Sequence, residues 1–386
     1  MSINGPVTRR QALRAGALGV TGLYVAACGS ASSNGGGASS SASAAASGPS
    51  SSASASNAPV TLNWETWNDH YLPKQLTAVQ KATGIAARPS LESDDSDGYL
   101  KVKQTGGQYD IVSTDALWAK KYFDDGLTQP FDIGEIPVSS QLYSIAKEVP
   151  FWKAGGGYLV YPNGWSSVNI YYNPKFVSPA PTSWEVLTDS KYAGKVVAEN
   201  QPTDLMAMAG LATGAKQPYN MTTAEISRAK DFLQSAKPAF LKLVSQNSDS
   251  VRALADGSAW MALENLGTDY RVKAAGGPVV KEATPKEGVV GWIDGEQMVK
   301  ASSHKDRFTQ FLNGMEQSNW VAQNFLVNGR PLFNEKAYKV LVNQGYKERA
   351  DLLWYNQPDR AMQMTLKGPS GNVQDYIDAF NQVFGA

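Results

Sequence analysis

From residue 59 onward, strand-like and helix-like segments alternate along the chain, and this alternation constrains the fold more than any other feature. Pro73 and Gly84 bracket one predicted helix, because proline suits the first turn and glycine the position after the last. The first predicted elements are a strand over residues 60–67, a helix over 72–83, a strand near 87–91, a helix around 99–104, a strand over 109–113 and a helix over 116–124. The pattern favours an open, mostly parallel α/β sheet, in which ligands bind beyond the carboxyl ends of the strands.

The alternation continues through a second unit. Residues 163–165 are predicted as a turn, Thr182 and Glu185 have the spacing of a capping box at a helix start, and Pro238 is expected to kink or break a long helix. The predicted elements are strands over 158–162, 168–172 and 196–199, a helix around 205–212, a helix over 224–243 and a strand over 258–264. The second unit therefore also ends its strands in polar residues.

Side chains at the predicted strand ends are the first candidates for a binding site, because ligands of such sheets bind beyond those ends. In the first unit the candidates are Asn63, Trp64, Glu65, Ser113, Thr114 and Asp115. They combine an indole with carboxyl, amide and hydroxyl groups.

The segment from Pro285 to Asp294 combines a turn signal with alternating apolar residues, and it ends in Trp292-Ile293-Asp294. In a strand, residues 292 and 294 share one face. An indole attracts an ammonium group by roughly 0.5–2 kcal/mol, and a neighbouring carboxylate adds a negative charge, so the pair suits a cation. Core packing of Trp292 and a solvated position for Asp294 are the alternative interpretation.

Residues 1–27 are expected to direct export rather than to fold. Arg9 and Arg10 precede an apolar segment over residues 15–27 that is too short, and too rich in glycine and alanine, to span a membrane permanently. Val25-Ala26-Ala27-Cys28 resembles the lipobox of bacterial lipoproteins, so residues 1–27 are expected to be removed and Cys28 to carry a stable lipid anchor. The arginine pair resembles a Tat signal, and Sec export is the alternative.

Residues 28–58 are predicted to be a flexible tether, because they consist almost entirely of serine, alanine and glycine. Roughly 30 residues of this composition have an average span of about 30 Å. Cys28 is the only cysteine, so no disulfide is expected in the exported fold. The protein is therefore expected at the outer face of the bacterial cell membrane, held there through Cys28.

The charge balance argues against nucleic acid as a partner. The chain has 386 residues, with 35 basic and 35 acidic side chains, and removal of residues 1–27 leaves 32 basic against 35 acidic ones. Binding to a phosphate backbone needs a basic excess. The small acidic excess instead suits a cationic ligand.

Several motifs together resemble those of the substrate-binding proteins of ABC importers, and most closely the spermidine/putrescine-binding branch. They occur in the family's order within residues 60–386 and are Asn63-Trp64-Glu65-Thr66-Trp67, Tyr109-Asp110-Ile111-Val112, Thr182-Ser183-Trp184-Glu185, Tyr192-Ala193-Gly194-Lys195 and Pro285-Lys286-Glu287-Gly288. The resemblance implies a type II periplasmic-binding-protein fold, with two α/β lobes and a ligand cleft between them. It also implies a monomer that docks on a membrane permease.

The resemblance implies that both lobes are discontinuous within a solute-binding domain over residues 59–386. Lobe one is expected to comprise about residues 59–164 and 293–325, and lobe two about 165–292 and 326–386. The segment over 285–294 would then lie at a crossover, where both lobes meet the ligand.

Binding roles can be transferred from the family to matching positions of this chain. Trp292 and Asp294 match the family's aromatic residue and amine-binding carboxylate best. The ligand-binding residues expected on this basis are Trp64, Glu65, Trp67, Ser113, Thr114, Trp165, Glu199, Glu264, Trp292 and Asp294. The chain departs from the family in having fewer acids after residue 199 and Leu263 in place of an aromatic residue. A polyamine is the leading ligand, with a sugar, an amino acid or a betaine-like solute as alternatives.

The sequence offers few groups for catalysis. Only His70 and His304 occur, the one cysteine is assigned to the lipid, and no Gly-x-Ser-x-Gly, His-Glu-x-x-His or phosphate-loop motif is present. We therefore expect a protein that is not an enzyme, with no cofactor and no metal site, and we expect His70 at the surface. Two other classes stay open, a hydrolase that uses Asp294 with Glu65 and a passive surface lipoprotein.

Overall fold

Residues 58–92, 95–105 and 107–385 are those that the computed structural model describes. The predicted signal peptide, Cys28 and all but the last residue of the tether lie outside them. In the described part of the chain, no helix is both long and apolar enough to cross a bilayer.

Strands and helices alternate through the described residues. The strands are β1 (Val60–Thr66), β2 (Ile85–Leu91), β3 (Ile111–Asp115), β4 (Thr128–Gln129), β5 (Lys153–Ala154), β6 (Gly157–Tyr158), β7 (Tyr161–Tyr172), β8 (Val196–Glu199), β9 (Phe240–Val244), β10 (Met261–Asn265), β11 (Lys281–Ala283), β12 (Val290–Val299) and β13 (Thr365–Leu366). The helices are α1 (Pro73–Thr83), α2 (Asp95–Thr105), α3 (Ala116–Asp124), α4 (Ser144–Lys147), α5 (Pro202–Ala212), α6 (Thr223–Ala236), α7 (Asn247–Ala255), α8 (Thr268–Ala274), α9 (Lys305–Met315), α10 (Ser318–Asn328), α11 (Glu335–Asn343), α12 (Lys347–Leu352) and α13 (Val373–Phe384).

The main sheet has the strand order β2-β1-β3-β12-β7-β10-β8-β9. One half contains the parallel strands β1, β2 and β3, and the other contains the parallel strands β8, β9 and β10. The two central strands, β7 and β12, run antiparallel to each other and to their neighbours β3 and β10. The predicted α/β class and periplasmic-binding-protein-like fold are confirmed, and the crossover connections put helices between successive parallel strands.

Strands β7 and β12 join the two halves of the sheet, and here one prediction is wrong. Residues 163–165 are not a turn, because β7 continues without interruption for 12 residues. Gly164 lies inside this strand, where a Cβ atom would come within 2.8 Å of the Pro331 carbonyl oxygen and 2.7 Å of the Leu332 side chain. The glycine therefore permits close packing of the segment around residue 331 rather than reversing the chain.

Two predicted helices in the second unit also differ from the structure. The helix predicted over 224–243 ends before Pro238, and β9 follows it, because proline cannot continue the helix and the next residues pair with β8. Near residue 182 a 3₁₀ turn over Trp184–Thr188 replaces the predicted helix. Its cap is Ser183 rather than Thr182, with the Ser183 side chain accepting a hydrogen bond from the Glu185 backbone.

Each half of the sheet packs on its own hydrophobic core. The core of the first half contains side chains of β1, β3, β12 and α9, such as Leu62, Ile111 and Phe311, and that of the second contains side chains of β8, β10, α5 and α13. Helices α10, α11 and α12 form a further cluster, in contact with Tyr143 of the first half. Phe333, just before α11, belongs to the core of the first half.

Candidate functional site

A cavity of about 340 Å³ lies at the carboxyl ends of the parallel strands, between the two halves of the sheet. From the first half it is lined by residues that end or follow β1, β2 and β3, and from the second by residues that end or follow β8, β9 and β10. Trp292 and Asp294 of β12 and Ser166 of β7 also belong to its wall. This is the position in which an α/β sheet of this kind binds ligands.

Charged side chains dominate the described lining, and acids outnumber bases. The acids are Asp69, Glu92, Asp95, Asp115, Glu199 and Asp294, and the bases are Arg271, Arg330 and Lys367. Several of these charges are already compensated within the protein, so the pairing of each group decides what remains for a ligand.

Asp294 is one of the compensated charges. Its carboxylate accepts hydrogen bonds from Arg330 Nη1 at 2.9 and 2.7 Å and from the Gly164 backbone at 3.1 Å, and its Oδ2 atom lies 3.0 Å from His70 Nε2. Burial opposes ionisation of Asp294, but the charges of Arg330 and His70 outweigh it and lower the pKa to about 2. Arg330 Nε also lies 2.8 Å from Asp69. Asp294 therefore has two internal cations as partners.

His70 is buried, with 2% of its surface exposed, so the expectation of a surface imidazole is wrong. Its Nδ1 atom lies 2.7 Å from Glu296 Oε1, and its Nε2 atom faces Asp294. Burial acts to lower the pKa of His70, but the charges of these two acids outweigh burial and raise it to about 10. The protonated ring thus bridges two carboxylates beneath the cavity, a pairing that no local sequence pattern indicated.

Two predicted site residues, Trp64 and Ser113, belong to the same buried network. Trp64 Nε1 donates to Glu296 Oε2 at 2.9 Å, and Ser113 Oγ donates to the same atom at 2.7 Å. The Trp64 ring packs on Tyr71 and Phe311 in the core of the first half. Neither residue lines the cavity.

Four further predicted site residues lie behind the cavity wall. Thr114 donates to Gln297 Oε1 at 3.1 Å, Trp165 stacks on Trp354 with ring centroids 6.1 Å apart, and the Glu65 carboxylate is 2.9 Å from Lys101 Nζ. The fourth, Glu264, is buried and accepts a hydrogen bond from Asn247 Nδ2. Burial, and next the charge of Glu199, raise the pKa of Glu264 to about 8.

Position along the strands separates the candidates in the core from those at the cavity. β1 extends to Thr66 and β3 to Asp115, so Trp64 and Ser113 lie within strands and point into the core. Four of the predicted ligand-binding residues, Trp67, Glu199, Trp292 and Asp294, line the cavity, and so does Asp115, one of the first strand-end candidates.

Glu92 is a site residue that the sequence analysis did not select. It follows β2 and is 8% exposed, and neither of its carboxyl oxygens has a hydrogen-bond partner among the described residues. Its backbone N–H donates to the Thr66 carbonyl at 3.2 Å, which places it beside Trp67. Burial, and then the charges of Asp95, Glu65, Asp115 and Glu296, raise its pKa well above the ordinary value. The strand-end rule, applied to β2 as it was to β1, would have found it.

Asp95 and Asp115 form an acidic pair next to Glu92. The Asp115 backbone N–H donates to Asp95 Oδ1 at 3.3 Å. Burial, followed for Asp115 by the charge of Asp95, raises the pKa of both carboxyls, to about 6 for Asp95. In the corner formed by Glu92, Asp95 and Asp115, burial and mutual repulsion therefore favour protonated carboxyl groups, and a ligand cation would favour their ionised forms.

At the Trp292 end of the cavity, a lysine of the protein itself lies next to the indole. Lys367 Nζ lies 5.0 Å from the centroid of the Trp292 ring and forms an ion pair with Asp204. Among the described residues, no group of three or more His, Cys, Asp or Glu side chains is placed to hold a metal ion.

Comparisons with known proteins identify the family. Residues 74–368 match the family model described as bacterial extracellular solute-binding protein. The chain belongs to this solute-binding family. The predicted resemblance and the expectation that the chain is not an enzyme are thereby confirmed, because the members of the family are binding proteins.

Solved structures similar to this solute-binding protein agree with its fold. A protein of Listeria monocytogenes described as a spermidine/putrescine ABC transporter is 20% identical, with a TM-score of 0.73 over 84% of this chain and 97% of that one. The TpPotD lipoprotein of Treponema pallidum is 15% identical, with a TM-score of 0.70 over 85% and 100%. AfuA of Actinobacillus pleuropneumoniae, with fructose-6-phosphate bound, is 15% identical, with a TM-score of 0.56 over 73% and 86%.

Proposed function

We propose that this solute-binding protein captures a small organic cation, a polyamine of the putrescine/spermidine type, and delivers it to an ABC permease. The observation that carries the proposal is the carboxyl group of Glu92, a residue of the cavity lining, which is buried and has no hydrogen-bond partner among the described residues. A buried carboxylate without a hydrogen-bond partner is costly, and a ligand ammonium would compensate it directly.

The surroundings of Glu92 suit an alkylammonium group. Trp67 contributes an indole to the same cavity lining, and Asp95 and Asp115 of that lining act electrostatically on Glu92. Indole faces attract ammonium groups and also cover methylene chains, so one wall can bind both parts of a polyamine. Resemblance to the spermidine/putrescine-binding branch supports the same ligand class.

A second candidate is a hydroxyl-rich or anionic solute, and Arg271 is the observation that favours it. Its guanidinium lines the cavity and donates to the carbonyls of Asn265, Leu266 and Asn328 and to the Thr268 hydroxyl. No carboxylate of the described residues lies within ion-pair distance of it. The fructose-6-phosphate bound by AfuA is an example of such a ligand.

Native mass spectrometry and a thermal-shift screen test the proposal. Putrescine, spermidine and spermine are compared with betaine, amino acids, sugars and fructose 6-phosphate. A ligand at 100 times its Kd should stabilise the folded protein by about 2.7 kcal/mol. Stabilisation by amines supports the proposal, whereas stabilisation by the sugar phosphate alone supports the second candidate.

We also propose that the mature protein is a monomer, anchored to the outer face of the cell membrane through lipidated Cys28 after export. Cys28→Ser is expected to move the protein from the membrane fraction to the soluble fraction, with Ser32→Ala in the same tether as the control. Membrane fractionation of Cys28→Ser would contradict the anchor. Mass measurement in solution tests the monomer.

The two expected lobes remain a proposal, for which the packing suggests one revised boundary. Helices α11 and α12 contact α10 and Tyr143 of the first half, and α13 contacts α5 and α6 of the second. We therefore place the last crossover near residue 364 instead of residue 326. Limited proteolysis at the connections between lobes, with and without ligand, tests this division.

A further inference from the structure

Lys367 is fixed beside Trp292 by the backbone. Strand β13 pairs in parallel with the first residues of β12, with Leu366 opposite Gly291. The Lys367 backbone N–H then donates to the Gly291 carbonyl at 2.8 Å. The lysine therefore starts next to the indole whatever the rotamer of its side chain.

The ammonium group of Lys367 takes the position that a ligand cation would have on this indole. It lies 5.0 Å from the Trp292 ring centroid, within the range of a cation–π contact, and the side chain is 17% exposed. Its ion-pair partner is Asp204, in the first turn of α5, which also accepts a hydrogen bond from the Tyr219 hydroxyl at 2.8 Å.

Asp95 and Asp115 line the same cavity as Lys367 and act on it electrostatically. Burial acts to lower the pKa of Lys367, but the charges of Asp204, Asp115 and Asp95 outweigh it and raise the pKa. The group is therefore a permanent cation at physiological pH. Its charge acts on Asp115 and Asp95 of the cavity lining, whereas Glu92 has no hydrogen-bond partner among the described residues.

We propose that Lys367 is a built-in ammonium group that occupies the Trp292 end of the cavity and thereby limits how many ammonium groups a ligand can place there. This inference rests on the proposed function and deepens it. A second cation on the same indole would lie close to the lysine, and like charges repel strongly in a partly buried site. Short diamines are therefore favoured over longer polyamines, and Lys367 determines this specificity.

Calorimetry of the full chain with putrescine and spermidine tests the inference through the ratio of their dissociation constants. Lys367→Met is expected to shift the preference toward spermidine by about tenfold, because an additional ammonium can then reach Trp292 and Asp204. Lys367→Arg keeps the charge and is expected to leave the ratio unchanged. Lys195→Met is the matched control, because Lys195 Nζ also lies 5.0 Å from an indole, that of Trp260, outside the cavity.

Lys367→Met leaves Asp204 without its cation, so a second variant guards against loss of the fold. In Lys367→Met/Asp204→Asn both charges are removed, and the asparagine can still accept a hydrogen bond from Tyr219. The preference is expected to shift in the same direction. An unchanged ratio in both variants, with amine binding retained, overturns the inference and leaves the proposed function standing. A wild-type chain that binds neither amine overturns both.

Discussion

Glu92→Gln removes a buried carboxyl group of the cavity lining that has no hydrogen-bond partner among the described residues, and we expect it to weaken putrescine binding. Glutamine keeps the size of the side chain but cannot form an ion pair with an ammonium group. Calorimetric titration of putrescine into the wild-type chain and the variant measures the change in Kd.

The expected magnitude follows from the burial of Glu92, which is 8% exposed. Truncating one member of a buried charge pair costs about 2–5 kcal/mol, which corresponds to a roughly 30- to 5,000-fold increase in Kd. Asp95 and Asp115 remain in the variant and still attract the ammonium. We therefore expect the effect to fall in the lower half of this range.

Proton release gives a second readout of the same variant. The pKa of Glu92 is raised by burial and by the acids that face it, which are Asp95, Glu65, Asp115 and Glu296, and the Tyr122 hydroxyl also lies near it. An ammonium favours the ionised carboxylate, so binding should displace the proton of Glu92. The affinity of the wild-type chain should therefore increase with pH, by up to about tenfold per pH unit for one proton.

In Glu92→Gln this pH dependence should become weaker by up to one proton per ligand, measured by calorimetry in buffers of different ionisation enthalpy. Glu148→Gln is the control, because it makes the same chemical change in a side chain that is 70% exposed. A Kd and a proton count equal to those of the wild type would refute the assignment of Glu92 to the site.

Three further predictions concern the buried network and the core. Asp294→Asn should destabilise the fold by about 3–5 kcal/mol, because Arg330 stays buried while its main partner becomes neutral. Urea unfolding measures this loss, with Asp124→Asn as the control, because the Asp124 side chain is 51% exposed. Trp165→Ala should cost about 3–5 kcal/mol of stability without changing the Kd for putrescine, because the ring is in the core and not in the cavity. The free energy of unfolding should fall as the pH rises from about 6.5 to 10. His70 has a pKa of about 10 in the folded protein, so it keeps a proton that the unfolded chain loses above about pH 6.5. The stabilisation by His70 is therefore complete below about pH 6.5 and disappears as the pH approaches 10.

Each of these predictions has an outcome that contradicts it. A fully stable Asp294→Asn would mean that the carboxylate is not needed as the partner of Arg330. A large loss of affinity in Trp165→Ala at unchanged stability would mean that the Trp165 ring contributes to ligand binding. A free energy of unfolding that stays constant or rises between pH 7 and 10 would contradict the buried, protonated His70.

The sequence predicted the fold class because the alternation of elements is a local property. Hydrophobic periodicity and the positions of Pro73 and Gly84 placed α1 to within a residue, and the segment over 196–199 matches β8. At Gly164 the local sequence favoured a turn, but tertiary packing determines the structure. The glycine lies inside the long strand β7 and allows close packing there.

The site was harder to predict, for two physical reasons. The strand-end rule selected neighbouring residues together, and it did not separate Trp64 and Ser113, which are buried within β1 and β3, from Trp67 and Asp115, which line the cavity. Charge pairing is also a long-range property. Arg330 is 36 residues from Asp294, and His70 is 226 residues from Glu296, so sequence patterns could not show that these carboxylates have internal partners.

A crystal structure of the protein grown with putrescine is the most direct test of the central claim. We predict an ammonium nitrogen about 2.7–2.9 Å from a carboxyl oxygen of Glu92, with the methylene chain against Trp67 and with Lys367 still on Trp292. Putrescine bound at Asp294 and Trp292, with Glu92 left without a partner, would contradict the account.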